Sequence, residues 1–262
     1  MKPIVLITGA SSGIGAALAK VFAAHQHEDG HELVVVARRR DRLEALADEI
    51  AATGRPRPTV FTADLERRDG ASAIAAELSS LGLEPAIVVN NAGFGLRGEA
   101  ATLSRDEQLA MIDLNVRALT ELSLMFVDSV ARHRGGILNV ASLAAFLPGP
   151  GMAVYYASKA YVLSFSEALH RELSGRGVRV TALCPGPVPT EFQARAGLSL
   201  DPAARLLELS AEQVAQIGYE AFMAGKRVAI AGIGNMIAAS LLPFVPNALL
   251  LRLVDQRKRA ER

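Results

Sequence analysis

The chain has 262 residues, half of them hydrophobic, with 28 basic and 27 acidic side chains and a formal net charge of +1. That length and apolar fraction allow one sizeable core, and the balanced charge, without a long basic or acidic block, argues against nucleic acid and for a small-molecule partner. A single cysteine, Cys184, excludes an internal disulfide and a cysteine-based zinc site, and the five histidines do not cluster usefully, so no metal centre is expected. Met1 leads into a strand-like run without the pattern of a secretory signal, which makes the cytoplasm the expected location.

Residues 3–8 (PIVLIT) are a short β-branched apolar run of the kind buried on both faces of a parallel sheet. Thr8 to Gly15 (TGASSGIG) then opens a helical pattern that runs through Ala24. Gly9, Gly13 and Gly15 remove Cβ atoms where backbone must pass close to a phosphate, and Ser11, Ser12 and Ile14 lie in the same loop, at the N-terminus of the following helix. Strand before and helix after give this loop the logic of a dinucleotide site, although the spacing is G-x-x-x-G-x-G.

A second strand, 31–37, ends in Arg38, Arg39 and Arg40, ahead of an amphipathic helix over 41–52. This strand end meets the adenosine ribose in a nucleotide-binding unit, where an acid suits a free 2′-hydroxyl and an arginine suits a 2′-phosphate. Arg38 and Arg39 therefore favour NADP over NAD. A third strand, 60–63, leads to Asp64, which either meets the adenine amino group or caps a helix over 67–81.

The fourth strand, 86–89, is followed by NNAGFGLRG. This loop holds a literal G-x-G-x-x-G at Gly93, Gly95 and Gly98, yet no helix opens after it, so it is not the phosphate loop. Asn90, Ala92 and Gly93 are expected to line the adenosine side instead. Ser104 to Glu107 is a capping box that starts a long helix toward Arg132. Asn115 lies within it, either as a buried hydrogen-bonding residue or as one that distorts the helix at a site.

The fifth strand, 135–142, delivers Ser142 to the carboxyl edge of the sheet, where ligands of open parallel sheets bind. After a Pro/Gly turn, Tyr155 and Lys159 fall four apart on one face of a helix reaching about Ser174. An ammonium beside a phenol favours the phenolate, so the pair suits proton transfer, with Ser142 as a donor to a substrate oxygen. The sixth strand, 177–183, precedes CPGPVPTEF, a loop stiffened by three prolines, in which Pro185, Gly186, Val188 and Thr190 are candidate cofactor contacts. A substrate lid is expected around 190–210, a capped helix over 210–224 and a seventh strand over 227–231. From 232 to 262 the chain is an apolar extension read as two short helices and a basic tail, which roof the pocket, pack on a neighbour or lie on a membrane surface; the last is not favoured. No repeat or linker divides the chain, so residues 1–262 read as one domain.

Taken in order, the Thr8–Gly15 loop, Asn90-Asn-Ala-Gly93, Asn115, Ser142, Tyr155-x-x-x-Lys159 and Pro185-Gly186 with Thr190 resemble the short-chain dehydrogenase/reductase family over residues 3–192. The resemblance implies an α/β fold, a Rossmann-like, doubly wound, seven-stranded parallel sheet flanked by helices. It implies an NADP-dependent oxidoreductase that interconverts a carbonyl and a secondary alcohol, forming homodimers or homotetramers through the helices over 105–132 and 153–174. Tyr155 would then be the general acid or base, Lys159 would lower its pKa and hold the nicotinamide ribose, Ser142 would polarise the substrate oxygen, Asn115 would hold a relay water, and Thr190 would meet the nicotinamide amide. A 3-oxoacyl-carrier-protein reductase is the alternative enzyme, but no basic surface stands near residues 190–210 to take an acidic carrier. A non-catalytic nicotinamide-binding sensor would not need four intact catalytic positions.

Overall fold

The structure is a computed structural model that describes residues 1–25, 30–196, 207–242, 245 and 251. Seven strands, β1 (Lys2–Thr8), β2 (Glu32–Ala37), β3 (Thr59–Thr62), β4 (Leu83–Asn90), β5 (Gly136–Val140), β6 (Arg179–Cys184) and β7 (Val228–Ile230), form one parallel sheet in the order β3-β2-β1-β4-β5-β6-β7. Alternation along β1 explains why helices cover both faces: Val5 and Ile7 enter one apolar core, Ile4 and Leu6 the other. On the first side lie α1 (Gly13–Ala24), α2 (Arg40–Ala52) and a late helix, Ala211–Met223, with Phe22 in an edge contact with Tyr219 and a tilted one with Phe222. On the second lie α3 (Gly70–Ser80), the segment 105–132 and the helix that begins at Ala153.

Strand order reverses between β1 and β4, which opens a crevice at their carboxyl ends. Hydrogen bonds fix its floor. Thr8 Oγ1 donates to the Val89 carbonyl at 3.2 Å and accepts from the amides of Asn91 (3.1 Å) and Ala92 (3.2 Å), while Asn91 Nδ2 donates to the carbonyls of Thr8 (3.0 Å) and Gly9 (3.1 Å).

Several expected boundaries move, each for a local reason. β4 begins at Leu83, and its ladder to β1 shifts register beside Pro85, which has no amide to donate. The helix expected over 67–81 begins at Gly70, because Asp64 turns the chain by accepting from the Glu66 amide at 3.0 Å and Arg67 pairs with Asp69. Asp64 is therefore not its cap. The single helix expected over 105–132 is α4 (Arg105–Ile112), a π-helical turn (Asp113–Ala118), α5 (Leu119–Met125) and α6 (Val127–Arg132). Asn115 sits at the π turn, where its side chain bonds another segment, as described below.

The long helix α7 (Ala153–Leu173) is followed by the short α8 (Glu191–Arg195), α9 (Ala211–Met223) and α10 (Ile233–Leu241). Ser210 and Gln213 form the expected capping box. α10 turns Asn235 and Ala239 inward and leaves Ile233, Met236, Ile237 and Leu241 exposed. The second apolar helix and the basic tail lie outside the described residues, as do residues 197–206 of the expected lid. No helix among the described residues is long and apolar enough to cross a membrane.

Candidate active site

A cavity of about 1000 Å³ runs along the carboxyl edge of the sheet. One end is walled by Gly9, Ser11, Ser12, Gly13 and Ile14 of the glycine loop, by Arg38 and Arg39 after β2, and by Asp64 after β3. Ala92 and Gly93 line its middle, and Pro185, Gly186, Val188 and Thr190 its far wall. The other end is apolar and aromatic, with Phe94, Met152, Tyr156 and Phe192 around Tyr155.

Ser142, Tyr155 and Lys159 meet at that end. Ser142 stands two residues beyond β5 and caps a short 3-10 turn (Leu143–Phe146), accepting from the Ala144 amide at 3.1 Å, which fixes its hydroxyl. That hydroxyl and the Tyr155 phenol line the same wall of the cavity, and Ser142 pulls the phenol's pKa down. Tyr155 and Lys159 both face inward from α7, at 8% and 5% exposure, and the Lys159 Nζ lies 6.0 Å from the centre of the Tyr155 ring. Lys159 Nζ donates to the Val140 carbonyl at 2.8 Å, so the end of β5 positions it.

Asn115, 1% exposed, joins the helical layer to the loop after β4. Its Oδ1 accepts from the Phe94 amide at 3.1 Å, and its Nδ2 donates to the Phe94 carbonyl (2.9 Å) and to Ser158 Oγ (3.1 Å). A Cβ on Gly93 would stand 2.9 Å from Asn115 Oδ1 and 3.5 Å from Lys159 Nζ, so the amide and the ammonium both face the space that this glycine leaves open.

Three expected contacts do not reach the cavity. Asn90 ends β4 with its side chain in the core, donating to Ser123 Oγ and Asn139 Oδ1, both at 2.9 Å; its neighbour Asn91 lines the cavity instead. Gly15 lies beneath the glycine loop, and Asn115 is one layer behind the wall. Residues that the sequence reading did not single out also line the cavity: Phe94, Met152, Tyr156 and Phe192 at the Tyr155 end, and Glu66 and Glu191 beside the arginines.

A family model described as short chain dehydrogenase matches residues 3–200. The chain belongs to the short-chain dehydrogenase/reductase family. Sulfoacetaldehyde reductase 2 of Chromohalobacter salexigens is 38% identical over 200 residues, 73% of this chain and 75% of that protein. The NADP-dependent 3-hydroxy acid dehydrogenase YdfG of Salmonella typhi is 38% identical over 194 residues, 72% of this chain and 74% of its own. A short-chain dehydrogenase from Sphingobium yanoikuyae, solved in complex with NADPH, superposes with a TM-score of 0.78 at 33% identity over 89% of each chain. Membership makes this short-chain dehydrogenase/reductase an NAD(P)-dependent oxidoreductase of alcohol and carbonyl groups.

The cradle fits a dinucleotide. Gly9 has φ +67°, and a Cβ there would lie 2.7 Å from Ala92 Cα; a Cβ on Gly15 would overlap the Gly9 carbonyl and the Asn91 amide. Both glycines therefore let this loop pack closely against the loop after β4, at the start of α1, where amides and helix dipole favour a phosphate. Gly15→Ala is expected to weaken NADPH binding by at least about tenfold in a fluorescence titration, because the phosphate loop must shift, with far-ultraviolet dichroism unchanged.

Burial dominates the proton affinities. It pushes the Tyr155 phenol up to about 12, against the downward pull of Ser142, and it lowers the Lys159 ammonium to about 8. Burial sets the direction at Tyr155, and Lys159, 6.0 Å from the centre of its ring, is not among the groups that shift it. Because the ordinary value for Lys159 is 10.5, folding carries the full cost of burying the ammonium below about pH 8. Between about 8 and 10.5 the folded protein has shed a proton that the unfolded chain still binds, so this contribution to stability rises with pH. Lys159→Met is thus expected to be more stable than the wild type near neutral pH in protein without added cofactor, by on the order of a few kcal/mol in the free energy of unfolding. The gap should close toward the upper end of that window; a pH-independent gap would contradict this origin.

Proposed function

We propose that the protein is an NADP(H)-dependent oxidoreductase that interconverts a carbonyl and a secondary alcohol on a small to moderately large apolar substrate. The observation that carries this reading is the convergence of Ser142, Tyr155 and a buried Lys159 at one end of a cavity whose other end is the glycine loop and Arg39. The nicotinamide supplies or takes the hydride. In reduction, Tyr155 gives its phenolic proton to the carbonyl oxygen, and Ser142 holds that oxygen as charge develops on it. A phenol shifted to about 12 is protonated at neutral pH, which is the donating form. For oxidation the phenolate is needed, and the Lys159 ammonium is the charge on hand to favour it; Lys159 would also hold the nicotinamide ribose hydroxyls.

The Asn115 side chain is fully committed to Phe94 and Ser158, so a relay water beside it would be held by its main-chain carbonyl. Arg39, with Arg38, would take the 2′-phosphate, Asp64 the adenine side, and Thr190 the nicotinamide amide. The relatives named above act, by their names, on sulfoacetaldehyde and 3-hydroxy acids. Here Phe94, Met152, Tyr156 and Phe192 make the walls beside Tyr155 apolar, which supports a more apolar substrate. Exposed Leu109, Ile112, Leu124, Met125 and Tyr161 on α4, α5 and α7 support assembly as a dimer or tetramer through those helices, and the cytoplasm remains the location this reading favours. The test is oxidation of NADPH, compared with NADH, against ketones, aldehydes and acyl thioesters. Preference for NADPH with an apolar ketone or aldehyde is expected; turnover confined to acyl thioesters would favour the carrier-protein alternative.

A further inference from the structure

Arg39 is engaged from two sides. Its Nη2 donates to Ser11 Oγ (3.1 Å) and Ser12 Oγ (3.0 Å), which ties it to the glycine loop, and its Nη1 donates to Glu191 Oε2 at 2.7 Å. Glu191 is 152 residues away in sequence and begins α8, directly after Thr190. Its other oxygen, Oε1, lies 3.9 Å from Arg42 Nη2, and its carboxyl is held below the usual range chiefly by the Arg39 hydrogen bond. Arg39, Glu191, Ser11 and Ser12 all line the cavity. Arg38, in contrast, pairs with Glu66 at 2.7 Å, within the wall formed after β3. A carboxylate carried on the segment of the far wall thus sits on the guanidinium best placed to receive a phosphate.

We propose that Glu191 is an internal competitor for the 2′-phosphate: it holds Arg39 until NADP(H) displaces it, and the displacement frees the segment that carries Thr190 and α8. The proposal rests on the reading of Arg39 as a 2′-phosphate ligand. A phosphate of higher charge and bidentate geometry outcompetes a carboxylate for a guanidinium, and the displaced carboxylate is then repelled from the phosphate beside it. NAD(H) brings no anion to this point, so it leaves the clasp closed. Glu191 therefore sets part of the difference in affinity between the two cofactors.

Fluorescence titration of NADPH and of NADH, without substrate, tests this on the wild type, Glu191→Gln, Arg39→Ala and the double variant, with melting curves confirming the fold. Glu191→Gln is expected to tighten NADPH by about threefold to tenfold and to leave NADH within about twofold, because only the phosphate competes with the carboxylate. In the Arg39→Ala background the same substitution should lose this effect. Unchanged or weakened NADPH binding in Glu191→Gln would overturn the proposal, as would equal tightening with Arg39 absent. If Glu191→Gln has no effect while Arg39→Ala selectively weakens NADPH, the competitor fails and the reading of Arg39 stands; if Arg39→Ala leaves NADPH unaffected, that reading fails and the competitor with it.

Discussion

Tyr155→Phe is expected to lower turnover by about 10²- to 10⁴-fold while leaving NADPH affinity within about twofold, as loss of a positioned general acid should. The substitution removes one oxygen from a buried site and little else. A phenylalanine ring keeps the tilted contact with Phe192 at 5.4 Å and the edge contact with Tyr156 at 6.1 Å, so the cavity wall survives. What disappears is the proton donor beside Ser142. Tyr156 also lines the cavity, but on a helix one residue is a turn of about 100°, so its phenol points away from that of Tyr155. Tyr156→Phe is the matching control and should alter substrate KM more than kcat. Steady-state kinetics with a cofactor titration check both; a Tyr155→Phe protein that turns over like the wild type would remove Tyr155 from the chemistry.

Arg39→Ala is expected to weaken NADPH by about 10- to 100-fold, the range for a charge-assisted contact to a phosphate, and to change NADH little. Both cofactors share the glycine loop, so only the extra phosphate distinguishes them. Arg38 is less able to compensate because Glu66 holds it at 2.7 Å and Asp64 stands 3.9 Å away. Arg39 is partly exposed, so the wild-type preference for NADPH should also shrink with added salt. Equal weakening of both cofactors would point to a disturbed loop instead of a lost phosphate contact.

The sheet was legible because its strands are short continuous apolar runs, each followed by a helical pattern, and parallel strands covered on both faces have little choice but to read that way. The Ser142, Tyr155 and Lys159 convergence was legible for a related reason: a strand end and a helix face are both placed by periodicity. Periodicity failed at single-residue resolution. Asn90 and Asn91 are indistinguishable in sequence, and only the strand's extension to residue 90 sends the first into the core and the second to the cavity. At Asn115 the sequence left a buried hydrogen-bonding role and a helix distortion open, and the structure has both; what the sequence did not show is the partner, the Phe94 backbone across the site.

Electrostatics were the least legible. Spacing places a lysine and a tyrosine on one helical face, but burial decides the direction in which their pKa values move, and burial is set by β5, the loop after β4 and Phe192 together. The acids that meet the arginines show the same dependence on tertiary structure. Glu66 and Glu191 come from separate connections, and no local pattern joins Glu191 to Arg39.

The central claim is that hydride and proton reach one carbonyl at Tyr155. Its most direct test is reduction of an accepted ketone with NADPH deuterated at the transferring position of the nicotinamide, read by mass spectrometry of the alcohol. The wild type should place deuterium on the former carbonyl carbon and Tyr155→Phe should yield almost none in the same time. Cofactor consumption without deuterium on that carbon, or equal transfer by both proteins, would contradict the account.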